Sequence, residues 1–316
     1  MPPQANGFLR RRLQTYLTMM ALPGTGRVGL GRWLSASGMA CLDQDPAVLL
    51  GQIKATLFPD SYGLAHAGQE ALVRLNAMDR LGVTPVSRGG AGYPQGLELL
   101  PDPPPFLFIQ GDLRAEPYPP VAIVGTREPS AWGLGEARRF SESAVQAGLC
   151  VLNGLARGID QAALESTLDA GGRCCAVLAC GHDLVDLSPA GPLARRILAN
   201  GGILVSEYAP GIAAHKGSFI ERDRIQAALS LAVVVVESGA RGGTMHTARA
   251  ALQAGVPLMA LLPPNEEHAG GPEKRPGAPR PEGAKHLIGA GALHLRSTDQ
   301  FLEKLSELRA VRGPRP

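Results

Sequence analysis

With 316 residues, 45% of them hydrophobic and 19% charged, the chain can bury at least one full core, and its length suits one large unit beside a smaller one. The formal net charge of +3 excludes capture of a polyanion by the overall field, so any such partner has to be held by local clusters. The composition is that of a soluble globular protein, and the longest uninterrupted apolar stretch, Leu231 to Val236, is far too short to cross a bilayer.

The polar start, Met1 to Gly7, runs through Arg10-Arg11-Arg12 into an amphipathic helix with no apolar signal region, which predicts a cytoplasmic location and no membrane partner. From Phe8 to Ala77 the pattern is helical: Leu13, Tyr16, Leu17 and Met20 share one face, and Val28, Leu30, Trp33 and Leu34 another. The turn Leu22-Pro23-Gly24-Thr25-Gly26 resembles a helix-hairpin-helix, whose amides contact a DNA phosphate; a Pro/Gly-punctuated helix connection accounts for it at least as well. Residues 1–80 are thus expected to form a small all-helical unit, SAM-like or helix-hairpin-helix-like, ahead of a larger unit over 81–310 and a disordered tail over 311–316.

A proline-rich bridge follows, in which Pro101 to Pro105 and Pro117 to Pro120 flank Phe106 to Ile109, expected as an edge strand. Apolar runs then recur at 121–124, 150–152, 175–178, 203–205, 232–236 and 258–262, with helices fitting between them. This alternation predicts an α/β fold, an extended Rossmann-like, doubly wound and mainly parallel sheet. Pro263 to Gly283 lacks periodicity and reads as a loop. Order returns with a short strand, Leu293 to Leu295, and a final amphipathic helix.

Each strand ends in a glycine turn that carries a cation or carboxylate: Gly125-Thr126-Arg127, Gly154 to Gly158, Glu207 to Gly211 and Gly239 to Thr244. In a parallel sheet these turns emerge on one edge, where free amides and helix N-termini converge and favour phosphate. Gly125 permits close backbone approach, Thr126 offers a hydroxyl and Arg127 a charged fork. The second turn adds Arg157 and Asp160, which read equally well as an ion pair holding the loop. In the third region Lys216, Arg222 and Arg224 surround the start of a helix with Phe219 among them, and cations beside an exposed ring suit an unpaired polynucleotide. Gly243 and Thr244 add amides and a hydroxyl. The Gly125 turn is not the G-x-G-x-x-G dinucleotide fingerprint, no P-loop occurs in the chain, and no cofactor is expected.

Five cysteines form no CxxC pair and no His/Cys metal cluster; they read as small core hydrophobes, and no metal is expected. His182, His215 and His246 are read as surface loop residues near the sheet edge. No nucleophile elbow or ordered Ser/His/Asp pattern is present, and Glu207 and Glu237 are assigned to orienting loop backbone or the cleft arginines.

The order of Val121 to Arg127, Gly154 to Asp160, Ala176 to Asp183, Ser206 to Gly211, Phe219 to Ile225 and Gly243 to Arg249, with Tyr93-Pro94, Asp102 to Pro105 and Gly111-Asp112-Leu113 upstream, resembles the DNA-processing protein DprA (Smf) family over residues 10 to 305. The resemblance implies a non-catalytic, homodimeric protein that binds and protects single-stranded DNA and loads RecA in natural transformation or recombination. It also implies DNA contacts at Gly125, Thr126, Arg127, Arg157, Lys216, Phe219, Arg222, Arg224, Gly243 and Thr244. The chain departs from the family at Asp223, where Asn is usual, at Gly242-Gly243-Thr244 in place of an SGS-type turn, and at Leu187 to Gly191 in place of YPxxN. Its end at Pro316 implies a divergent member without the C-terminal winged-helix domain of some relatives. Leu287, Ile288, Leu293 and Leu295 are candidates for a two-fold interface or for ordinary core. A competing reading is a Rossmann nucleotide sensor or a LOG-like nucleoside-monophosphate phosphoribohydrolase, to which Gly242-Gly243-Thr244 and Glu237 bear a superficial likeness.

Overall fold

The computed structural model describes residues 3–22, 27–53, 62–111, 120–264 and 279–312. The glycine turn at 23–26, most of the loop expected from Pro263 and the last four residues lie outside the described residues.

Four helices come first: α1 (Pro3–Ala21), α2 (Arg27–Ser37), α3 (Pro46–Ile53) and α4 (Tyr62–Leu81). Their apolar faces, with Leu13, Tyr16, Leu17, Leu30, Leu34 and Leu75, close on one another. The helices do not close alone, because Val83, Phe106 and Phe108 from the sheet complete this core and the Tyr16 and Phe106 rings lie 4.9 Å apart.

Among the described residues nine strands form one sheet: β1 (Val83–Ser87), β2 (Phe106–Gln110), β3 (Pro120–Val124), β4 (Cys150–Asn153), β5 (Cys174–Leu178), β6 (Ile203–Ser206), β7 (Val233–Val235), β8 (Leu258–Leu261) and β9 (Leu293–Leu295). Their order is β1-β2-β6-β5-β4-β3-β7-β8-β9. From β6 to β9 every pairing is parallel, whereas β2 runs antiparallel to both β1 and β6. The expectation of an edge strand at Phe106 to Ile109 is therefore corrected: β2 is internal, and β1 forms the edge. Pro85 in the middle of β1 disguises it in the sequence, and an edge position is where a strand tolerates a residue lacking an amide donor.

Helices cover both faces of the parallel part. On one side pack α5 (Ala131–Gln146), α6 (Ile159–Asp169), α7 (His182–Asp186) and α8 (Gly191–Ala199); on the other packs α9 (Lys216–Leu229), with α10 (Gly243–Gln253) and α11 (Glu282–Gly289). The last helix, α12 (Thr298–Arg312), returns to the first side, so order extends two residues into the stretch expected as a tail. Alternate residues of one strand serve opposite cores: Val121 and Ile123 face α5 and α6, while Ala122 and Val124 face α9 and α10. Covering on both sides is why these strands read as unbroken apolar runs. Cys150, Cys174 and Cys175 are buried among them, and burial pushes the Cys150 thiol up to about 12, as expected of inert core thiols.

The strand β3 pairs with β4 on one side and β7 on the other, and the chain winds away from it in both directions. That reversal opens a crevice at the carboxyl ends of β3 and β7, the place where open α/β sheets receive ligands.

Phe301 of α12 is fully buried and meets Phe140 of α5 edge-on at 5.2 Å. Phe301→Ala is expected to cost about 3–5 kcal/mol of stability, read from the midpoint of urea unfolding followed by circular dichroism.

Candidate nucleic-acid interface

The crevice is lined by Gly125, Thr126 and Arg127 after β3, Ala156 and Asp160 after β4, Phe219, Arg222 and Asp223 of α9, Ser238 to Thr244 after β7, and Arg280 before α11. Its volume is about 220 Å³, below the ~300–1,000 Å³ of a site that encloses a small molecule.

The floor is ionic. Arg222 is 6% exposed; its Nη1 donates to the Val177 carbonyl at 2.7 Å and its Nε to Asp223 Oδ1 at 3.1 Å. The loop after β4 lies against this guanidinium: a Cβ on Gly154 would stand 1.7 Å from Nη1, so a larger residue there would push Arg222 off its buried partners. Asn153 sets the loop by donating to the Ile123 and Asp160 carbonyls while its Oδ1 accepts the Leu155 amide, which holds Leu155 at a φ of 57°. Asp160 accepts the Gly154 amide at 3.1 Å. Burial pushes the Asp160 carboxyl up to about 6 against the pull of Arg222, and burial likewise raises that of Asp223. Asp223, where the family usually has Asn, is 5% exposed and its Oδ1 accepts the Arg222 Nε, so its charge is compensated within the floor.

The rim is exposed and cationic. The Arg127 guanidinium sits 5.6 Å from the centre of the Phe219 ring, which is 40% exposed. Lys216 is exposed one helical turn before Phe219 on the same side of α9. His215 caps that helix, its Nδ1 accepting the Gly217 amide at 3.1 Å while the Ser218 hydroxyl accepts the His215 amide. Arg157 does not pair with Asp160; it is exposed and its Nη2 lies 3.8 Å from Glu128. Gly243 and Thr244 open α10 at the same crevice. Arg127 thus lines the crevice, while Arg157 lies beside its neighbour Glu128 and Lys216 precedes Phe219 on α9.

Two expected contacts are placed differently. Arg224 points away from the crevice, where Glu207 takes its Nη2 through both carboxylate oxygens at 2.9 and 2.8 Å and Asp102 stands 3.2 Å from Nε. Glu207 is 4% exposed, so Arg224 compensates a buried charge rather than meeting solvent. Arg222, though at the crevice, is floor rather than rim. Among the candidate interface residues, Leu287 and Leu295 belong to the chain's own core at 2% exposure each; Ile288 and Leu293 are half-buried against it. Their apolar runs look alike in sequence because a core and an interface both ask for leucine.

Of three further groups, sequence reasoning named Glu237 and His182 and passed over Arg280. Glu237, 1% exposed, receives the Ser130 amide and hydroxyl on Oε2 and the Arg280 amide on Oε1, so it ties β7 to the loop after β3 and to the segment before α11. This fulfils the orienting role and leaves it no free oxygen for a hydrolytic part. Arg280 lies in a stretch without periodicity. His182, read as a surface residue, is buried with Nε2 on the Leu204 carbonyl, and burial lowers its imidazole to about 4.

The mainly parallel sheet, with a cation-rimmed, carboxylate-braced crevice at its switch point, defines a protein of the Rossmann-like class. Residues 85–306 match the family model of DNA recombination-mediator protein A. The chain belongs to that family, the DprA or Smf proteins. It is 36% identical to Protein Smf of Escherichia coli K12 over 67% of this chain and 54% of that one, and 31% identical to DNA processing protein DprA of Bacillus subtilis 168 over 74% and 75%. The matched part thus spans about half the length of several curated relatives, 54% and 52% for the Smf proteins of Escherichia coli and Synechocystis. In structure it resembles DprA of Streptococcus pneumoniae, with a TM-score of 0.68, 26% identity and coverage of 92% of this chain and 95% of that one. DNA processing protein A of Helicobacter pylori, described by its single-stranded DNA binding mode, shares the fold at a TM-score of 0.59 and 24% identity over 71% of this chain and 96% of its own.

Arg222→Ala strands two buried carboxylates and is expected to cost about 3–5 kcal/mol, seen as a lower urea midpoint. Because the Asp160 carboxyl sits above its unfolded value of about 3.9, the folded state binds the extra proton, and stability contributed by this group falls as pH rises from about 4 to 6. Asp160→Asn is expected to flatten that part of a stability-against-pH curve.

Proposed function

We propose that this chain binds single-stranded DNA across the crevice mouth without cutting it, and that as a homodimer it protects the strand and delivers it to RecA during natural transformation or recombination. The observation that carries the DNA reading is the pairing of Arg127 with Phe219 at the rim of a polar-floored crevice. An exposed ring offers a face on which an unpaired base stacks, and the guanidinium beside it takes the adjacent phosphate. Duplex DNA, with its bases stacked inside, gains only from the cations. Family membership and the single-stranded DNA binding of the Helicobacter pylori relative support the choice of ligand; RecA delivery and the homodimer are proposed from the family.

Backbone charge and stacking carry little base information, so no sequence preference is expected. The phosphoribohydrolase alternative is disfavoured by the shallow crevice and by Glu237, whose oxygens are spoken for.

Fluorescence anisotropy with labelled oligo-dT and a matched duplex tests this reading. The parent is expected to prefer the single strand; Arg127→Ala and Lys216→Ala are each expected to weaken binding and lower the salt slope by ~0.7, and Phe219→Ala to cost about 1–3 kcal/mol. Equal binding by all three variants and the parent would remove the crevice from the account. Incubation with AMP and chromatography for adenine checks the alternative, while light scattering and RecA co-purification check the assembly.

A further inference from the structure

We infer that Glu128 is a built-in stand-in for a DNA phosphate, and that Arg280 is a DNA contact it holds in reserve. The inference rests on the single-stranded DNA reading above and adds to it a ligand residue and a restraint on affinity.

Glu128 follows Arg127 directly and is 64% exposed. Its two oxygens serve two arginines from opposite sides of the switch point: Oε2 is 2.8 Å from Arg280 Nη2, and Oε1 is 3.8 Å from Arg157 Nη2. One arginine comes from the loop after β4 and the other from the segment before α11, so the carboxylate bridges the two halves of the sheet at the mouth of the crevice. A phosphate offers guanidinium groups the same arrangement of paired anionic oxygens.

The backbone of Arg280 is fixed while its side chain is not. Its amide donates to buried Glu237 Oε1 at 3.0 Å, and three residues later the Gly283 amide donates to the Ser238 carbonyl at 2.8 Å. This docks the segment on the loop after β7. The guanidinium, by contrast, is 48% exposed and its partner more so. Exposed ion pairs of this kind hold weakly, so an incoming phosphate replaces Glu128 at little cost. Arg280 then joins Arg127 and Arg157 on the strand.

In the ligand-free chain, Glu128 offsets part of the positive charge that would draw DNA to the rim. An isolated anion has to displace it for one contact, whereas a strand carrying successive phosphates displaces it while gaining several. The carboxylate thereby lowers affinity at low salt and favours a polymer over a single phosphate.

Oligo-dT binding by Glu128→Gln, Arg280→Ala, the double variant and Arg127→Ala tests this across a salt series. Glu128→Gln is expected to tighten binding about threefold at low salt, with the gain fading as screening shortens the reach of the charge. Arg280→Ala is expected to weaken binding about threefold and lower the salt slope by ~0.7. In the double variant the gain from Glu128→Gln shrinks, because the two residues share one interaction. Should Arg280→Ala shift the thermal transition, Arg280→Gln takes its place. If Glu128→Gln and the Arg280 variant bind as the parent does while Arg127→Ala binds more weakly, the stand-in is overturned and the DNA reading survives. If the parent itself shows no salt-dependent binding of oligo-dT, both fall.

Discussion

The buried guanidinium of Arg222 is the constraint around which the crevice is arranged. A cation out of water needs acceptors and counter-charges on every side. Those demands recruit the Val177 carbonyl from β5, Asp223 from its own helix and the field of Asp160 from α6. They also leave only a glycine's width for the loop above, at Gly154. One strand, the loop after another and two helices are thus locked to one side chain, and the polar floor that results cannot be replaced piecemeal.

The loops resting on this floor carry the rim. Their backbones are held by buried groups, Asn153 for one and Glu237 for the other two, whereas their charged ends reach into solvent. Rigid attachment with loose ends suits a ligand that lacks a fixed shape. Charge compensation changes character with depth. Inside, Arg222 with Asp223 and Arg224 with Glu207 are structural and costly to break; outside, Arg157 and Arg280 share Glu128 in contacts that exchange readily.

The helical N-terminal part has a different dependence on the sheet. Phe106 and Phe108 project from β2 into the helices while Leu107 and Ile109 face α9, so one strand joins the two cores. Period-2 alternation on this strand is hidden in the sequence Phe-Leu-Phe-Ile because both faces are apolar.

Strands, crossover helices and the turns between them were legible from residues 121 to 295, since apolar runs and glycine turns reflect local chain geometry that sequence states directly. That the Arg127 turn and the start of α9 with Phe219 lie at one edge followed from parallel topology, which sends every such turn to the same side. Which cation reaches solvent was not legible: Arg222 and Arg224 flank Asp223 on one helix and read alike. Only the folded arrangement sends one under Gly154 and the other to Glu207, because helix phase and the position of neighbouring carboxylates are set by packing between distant segments. The same holds for β1, masked by Pro85, for His182, and for Leu287 and Leu295, whose burial depends on what the rest of the chain lays over them. Sequence by itself determined the kind of sheet and the edge at which its glycine turns gather. Tertiary structure alone decided which charges are spent inside and which remain available, because desolvation depends on three-dimensional neighbours that no local pattern encodes.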